Sequence, residues 1–209
     1  MKTKSTPRPS RGRPRTFDTD QALDRAIPVF WAKGYEGTVV DDLTKVMGIN
    51  PSSFYAAFGS KGNAFEKTLD RYSQNSGGFI KVAMEQPSAH AFAKKLLSCA
   101  VDTYTDPSHP CGCLFMNAGL GLTRENKKIR QSLLQRRAGM EKVFAQRFER
   151  AIAKGDLLEQ SNPLDLARYL IVTLQGLATQ AAAGTTRTEL QKVVDLALSA
   201  FHSVSRITV

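Results

Sequence analysis

The side chains best suited to chemistry fall in three short clusters. In His109-Pro110-Cys111-Gly112-Cys113, two thiols and an imidazole lie close together. Such a set could bind a soft ion such as Cu(I), or react with oxidants or electrophiles through a thiolate. Cys-x-Cys does not close a metal site by itself, and plain packing of both thiols is the other reading. In Pro51-Ser52-Ser53-Phe54-Tyr55-Ala56-Ala57-Phe58, hydroxyls sit among small residues that would let a backbone come close to base edges. In Arg11-Gly12-Arg13-Pro14-Arg15, three guanidinium groups are carried on a stretch with no periodic apolar residue. That favours a polyanion. Catalysis finds no comparable support. Gly119-Leu120-Gly121 is followed by Arg124 where a dinucleotide fingerprint needs glycine, no P-loop pattern occurs, and His90, His109 and His202 are scattered. No enzyme and no cofactor are expected.

Helices must position these clusters, because no segment alternates with period two long enough for a strand. Apolar residues Leu23, Ala26, Ile27, Phe30 and Trp31 stripe a first helix over 19–33, with Pro28 as an irregularity inside it. Thr38 is a cap candidate for a second helix, Asp41 supplies the acid three residues on, and Val39, Leu43, Val46 and Met47 form its buried face. Gly48-Ile49-Asn50-Pro51 breaks the pattern, since glycine tolerates positive φ and proline suits the first turn of a helix. A short helix over 51–58 follows, with Phe54 and Phe58 on one side, and a fourth begins near residue 60. Further helices are expected over 88–104, 114–122, 125–154 and 164–183. A last one runs to about 203, opened by the capping box Thr186-Arg187-Thr188-Glu189. The expectation is an all-α fold of about nine helices. Its parts are a basic flexible arm over 1–16, a helix-turn-helix unit over 17–76 and a helical domain over 77–209.

Charge is distributed unevenly among these parts. The net charge of +10 favours a polyanionic partner. Residues 1–16 contain six basic residues and no acid, whereas residues 17–62 contain four basic and six acidic ones. The cysteines (Cys99, Cys111, Cys113) are too few for a disulfide framework and fit a reducing compartment. The apolar stretch over 164–184 is interrupted by Asp165, Arg168 and Gln175, so a membrane span is not expected. A cytoplasmic protein is.

Two short helices joined by a glycine-containing turn, packed behind an amphipathic helix, make the helix-turn-helix pattern. The segment AIPVFWAKGYEGTVVDDLTKVMGINPSSFYAAFGSKGNAFEKTLDRY resembles the DNA-binding domain of the tetracycline-repressor (TetR) family of bacterial transcription regulators. The matching marks are Phe30, Gly34 and Tyr35, then Thr38, Gly48-Ile49, Phe54-Tyr55, Phe58 and Lys61. The resemblance implies that the hydroxyls of Thr38 and Tyr55 bind phosphates, as does Lys61 with the amides opening the fourth helix. It places Pro51, Ser52, Ser53 and Ala57 among the base-reading positions. Ala57 departs from the larger polar residue usual there, which shifts sequence choice toward methyl contacts, DNA shape and the arm. The arm's Arg11, Arg13 and Arg15 resemble an AT-hook core, an extended segment lying in a narrow minor groove.

The resemblance further implies a homodimer on a near-palindromic operator, released when a small molecule enters the C-terminal helical domain. Apolar size and placement select Phe92, Leu96, Tyr104, Phe115, Met116, Met140 and Phe144 as candidate pocket liners. For the dimer interface, Leu170, Leu174, Leu177, Val193, Val194, Leu198 and Phe201 supply apolar area, and Ala178, Ala181, Ala182 and Ala183 permit close approach. Two alternatives stand beside this reading. One is a thiol- or copper-responsive regulator acting through Cys111, Cys113 and His109. The other is an architectural DNA-binding protein without an effector, which the large apolar C-terminal domain argues against.

Overall fold

A computed structural model describes residues 17–76, 78–119 and 122–202. The arm, with Arg11, Arg13 and Arg15, lies outside the described residues. Ten helices and no strand occur among them: α1 (Thr19–Gly37), α2 (Val40–Met47), α3 (Pro51–Phe58), α4 (Lys61–Ser76), α5 (Gly78–Met84), α6 (Ala89–Tyr104), α7 (Leu114–Gly119), α8 (Lys127–Ala153), α9 (Pro163–Ala182) and α10 (Arg187–His202). None is long and apolar enough to cross a membrane.

Local chemistry sets most of the boundaries. The Asp18 carboxylate accepts from the amides of Asp20 and Gln21 and starts α1. Pro28 is accommodated on the exposed side of that helix. The real break comes at Gly34, whose φ of 68° and ψ of 179° no helical residue shares. Gly48 ends α2 in the left-handed region, and the Asn50 side chain accepts from the Ser53 amide at 2.7 Å to open α3. Ser88 and Asn162 cap α6 and α9 in the same way. Thr186 and Glu189 complete the expected capping box, each accepting from the other's amide.

The start of α2 differs from expectation by one residue. Val39 is the N-cap, and its amide donates to the carboxylate of Asp42, not Asp41. Thr38 cannot serve there because its hydroxyl is turned inward to the Gly34 carbonyl. The additional helix, α5, begins at Gly78, in the glycine pair that reads as punctuation in the sequence. The expected helix over 114–122 is described only as far as Gly119.

One contiguous core runs through the molecule. Its N-terminal part holds Phe30, Leu43, Phe54, Phe58 and Phe65, with Phe30 and Phe65 edge to face at 5.0 Å. Each large apolar side chain so buried stabilises the fold by about 1.5–3 kcal/mol. Helix α1 packs on α2, α4 and α7, while α6, α8, α9 and α10 pack on one another. Helix α7 therefore links the reading end to the rest. The Asn117 amide donates to the Trp31 carbonyl at 3.4 Å, and Gly112 lies hard against α9.

Candidate nucleic-acid interface

Helix α3 is eight residues long and has two unlike faces. Phe54 and Phe58 point into the core, which leaves Pro51, Ser52, Tyr55 and Ala56 outside. Tyr55 is 51% exposed although it is aromatic, its ring standing edge-on to Phe54 at 5.5 Å. A phenol held this way presents its hydroxyl to whatever the helix approaches. Ser53 is half-buried at the edge of the face. Ala57 is also half-buried and packs against the core, so it lies at the margin while Ala56 occupies the exposed centre. Periodicity alone could have found Ala56, since residues 52, 55, 56 and 59 lie on one helical stripe. Val39, expected on the buried face of the second helix, is instead 56% exposed, because it is the N-cap that precedes α2 and not a residue of its inner stripe.

Two residues expected at phosphates are engaged otherwise. Thr38 is fully buried, and its hydroxyl donates to the Gly34 carbonyl at 2.7 Å. The Lys61 ammonium donates to the carbonyls of Tyr35 (3.0 Å) and Thr38 (2.9 Å) and lies 4.3 Å from the Tyr35 ring centre. The break at Gly34 leaves carbonyls without helical partners, and a cation is the natural cap for them. Other cations of this unit are engaged as well. Lys33 pairs with Asp42 at 2.7 Å, and Arg25 donates to the Met47 carbonyl at 3.4 Å. The Lys33 hydrogen bond holds the Asp42 carboxyl below its ordinary range. Arg71 of α4 clamps Asp24 of α1 through two 2.7 Å hydrogen bonds and lowers the Asp24 carboxyl likewise.

The cysteine cluster lies between the reading unit and the helical domain. Cys113 is buried, and the Tyr72 hydroxyl of α4 donates to its sulfur at 3.9 Å. Burial pushes the Cys113 thiol up and holds the neighbouring Tyr104 phenol far above its usual range. Cys111 is exposed and Cys99 half-exposed. His109 stacks on Trp31 with ring centres 4.5 Å apart, and its Nδ1 lies 3.0 Å from the Pro110 carbonyl oxygen. Among the described residues no three His, Cys, Asp or Glu side chains converge to hold a metal ion.

The candidate pocket liners divide. Phe92, Leu96, Tyr104 and Phe144 are packed core, with Phe92 and Phe144 edge to face at 5.4 Å, while Phe115, Met116 and Met140 are only partly buried. The candidate interface residues also need correction. Leu170, Leu177, Val194, Leu198 and Phe201 are buried within the chain and Leu174 is partly buried, which leaves Val193 as the exposed one. The outward face carries Tyr169, Val172, Gly176, Val193 and Leu196 instead. An open groove of about 400 Å³ runs along it between α9 and α10. Both helices are apolar on two sides, and only packing decides which side turns inward.

Two family models match. One described as "Bacterial regulatory proteins, tetR family" covers residues 22–66. The other, "Tetracyclin repressor-like, C-terminal domain", covers residues 93–198. The HTH-type transcriptional repressor ComR of Escherichia coli (strain K12) is 29% identical over 191 residues, spanning 90% of this chain and 91% of its own. Among solved structures, a cysteine mutant of the TetR family transcriptional regulator CifR, complexed with 26-base-pair operator DNA, superposes with a TM-score of 0.87. It is 39% identical and covers 90% of this chain and 100% of its own. A TetR-type regulator from Rhodococcus sp. RHA1 is 41% identical with a TM-score of 0.59, covering 89% of this chain and 98% of its own.

Proposed function

The chain belongs to the tetracycline-repressor family of bacterial transcriptional regulators, and from that membership we propose a homodimeric repressor released from a near-palindromic operator by a small molecule. The observation that carries this reading is α3 itself, with two phenylalanines anchored inward and small residues around an exposed Tyr55 outward. Pro51, Ser52, Ser53 and Ala56 read base edges, with Ala57 at the margin. Tyr55 and the amides opening α4 hold phosphates, and the arm's Arg11, Arg13 and Arg15 enter the minor groove. Lys61 acts by capping α1 and setting the start of α4; Thr38 acts by fixing the α1–α2 turn. The outward faces of α9 and α10 pair two copies, which matches the two-fold symmetry of such operators. The effector enters the helical domain beside Phe115, Met116 and Met140. Helix α7, touching both α1 and α9, carries its effect to the reading heads. The work is cytoplasmic and needs no catalysis or cofactor. An architectural protein would not need this helical domain.

Fluorescence anisotropy tests the reading, using DNA immediately upstream of the protein's own gene and a scrambled duplex. A preference of about 10³-fold or more is expected. Tyr55→Phe should weaken binding to both duplexes by a similar factor at every salt concentration, because a neutral hydroxyl holds a phosphate without releasing a counterion. Unchanged affinity for both duplexes would remove the phosphate role of Tyr55. Equal, steeply salt-dependent binding of the wild type to both duplexes would favour the architectural alternative.

A thiol response is a second reading, favoured by the contact between Cys113 and Tyr72 of α4. Any adduct on that buried sulfur must displace the helix that follows the reading helix. Because burial raises the thiol, reaction with an alkylating agent should be slow at neutral pH and accelerate as pH rises. Cys111→Ser/Cys113→Ser should then stay on DNA under peroxide that releases the wild type. Identical release of both proteins would end this reading.

A further inference from the structure

The helix-turn-helix unit is a poor source of positive charge for a DNA-binding surface. Residues 17–62 contain four basic residues against six acidic ones. Three of the four, Arg25, Lys33 and Lys61, are engaged with carbonyls or a carboxylate of the unit itself. Cations must reach the DNA from elsewhere, and the described structure brings a set to the right place.

Helix α8 runs beside α4. The Ile129 side chain lies against Gly62, with its Cδ1 3.8 Å from where a Cβ on that glycine would be. The Ser132 hydroxyl donates to Glu66 at 2.7 Å, and Arg136 bridges Glu66 (3.0 Å) and Asp70 (2.7 Å). Residue numbers rise together along these contacts, so the two helices are parallel and their first turns lie at the same end. That is the end where α3 hands over to α4 across Gly59, whose amide donates to the Tyr55 carbonyl. The loop before α8 is tied to the turn after α1. The Thr123 amide and the Asn126 side chain both donate to Glu36 at 2.8 Å. These bonds, the Thr123 amide foremost, lower the Glu36 carboxyl and fix the loop beside the reading unit.

On this platform stand Arg124, Lys127, Lys128 and Arg130, all exposed, with Glu125 the only acid among residues 122–137. Among the described residues no carboxylate forms an ion pair with any of the four; Arg130 donates to the Leu122 carbonyl at 2.7 Å. Buried Ile129 and the Arg136 bridge turn one side of α8 toward α4, leaving these cations on the open sides. We propose that this basic strip is a second phosphate-binding surface, by which the effector domain itself grips the DNA backbone next to the phosphates held at the start of α4. The strip touches no base edge, so it adds affinity without sequence preference. It rests on the DNA-binding reading above and extends it to a domain otherwise assigned to effector and partner. It also means that effector-driven movement of α8 acts on DNA directly as well as through α7.

The test uses the full chain and three proteins: wild type, Lys127→Gln/Lys128→Gln, and Lys94→Gln/Lys95→Gln. The last removes the same charge from exposed positions on α6. Anisotropy across a salt series on the upstream duplex and on a scrambled one gives affinities and slopes. Ethylation interference on the upstream duplex identifies the phosphates. The strip variant is expected to bind both duplexes about tenfold or more weakly, with the salt slope reduced by about two to four per dimer. It should also become indifferent to ethylation of at least one phosphate per half-site that blocks the wild type. The α6 variant should match the wild type. Equal losses in the two variants would reduce the strip to a general field effect, and an unchanged slope with an unchanged interference pattern would overturn it. If the wild type shows no preference for the upstream duplex, the operator reading fails. The slopes on the scrambled duplex still decide the strip.

Discussion

Val172→Asp combined with Leu196→Asp leaves the protein monomeric and weakens operator binding by about 10²–10⁴-fold, the loss expected when two linked half-site contacts become independent. Both side chains project from the outward face of α9 and α10, at 59% and 74% exposure, beside Tyr169, Gly176 and Val193. Both are mostly exposed and neither belongs to the buried core, so the variant should keep its helix content. A charge placed between two apolar surfaces must be desolvated on association, which costs several kcal/mol without a partner. Light scattering reads the mass and anisotropy reads the DNA. A dimer of wild-type mass would show that copies meet on another face. Leu198→Asp is the informative contrast: this side chain is buried in the chain's own core, so it should unfold the protein instead of merely dissociating it.

The second large effect is expected at Gly112. Its φ is 90°, and a Cβ there would stand 2.8 Å from the Ala178 carbonyl oxygen and 3.2 Å from the Ala182 Cβ. Both neighbours belong to α9, one being backbone, so neither can rotate away. Gly112→Ala combines a left-handed backbone with a steric overlap, and together these should lower stability by about 2–4 kcal/mol. For a chain of this size that is a fall in Tm of about 5–15 °C, read by circular dichroism. Gly139→Ala is the control. Gly139 lies within α8, and a Cβ there meets nothing within 4 Å, so alanine should be neutral or stabilising by up to about 1 kcal/mol. Equal melting of the two variants would mean that the Cys111–Cys113 loop can move off α9 freely. A surviving Gly112→Ala protein that ignores its effector would place the loop in the coupling path.

Much of this fold was legible because its punctuation is local. Gly48-Ile49-Asn50-Pro51 dictates a left-handed stop, a side-chain cap and a proline start. Thr186 and Glu189 likewise announce α10. Sequence spacing also separated Phe54 and Phe58 from Tyr55. It could not say which side of α9 faces inward, since Leu170 and Val172 are both apolar and only three-dimensional packing ranks them. Nor could it fix the partner of a cation. Lys61 suits a phosphate by type, but a kink at Gly34 supplies carbonyls nearer at hand. Thr38 has a hydroxyl that a phosphate or a carbonyl could take, and burial chose the carbonyl. The role of α8 was hidden for a related reason: its cations lie more than 60 residues from Lys61 in sequence, and parallel packing alone makes them neighbours.

Trp31 is the one tryptophan in the chain, and it stands where α1, α4 and the segment before α7 meet. Its indole is stacked on His109 and edge-on to Tyr72 at 5.1 Å. Tryptophan emission responds to solvent and is quenched by a protonated imidazole in contact. The molecule therefore carries an unlabelled optical gauge where its reading unit meets its helical domain. Spectral position and lifetime would register a shift of the reading head against the helical domain in the protein as it stands, in real time and in a mixture with DNA.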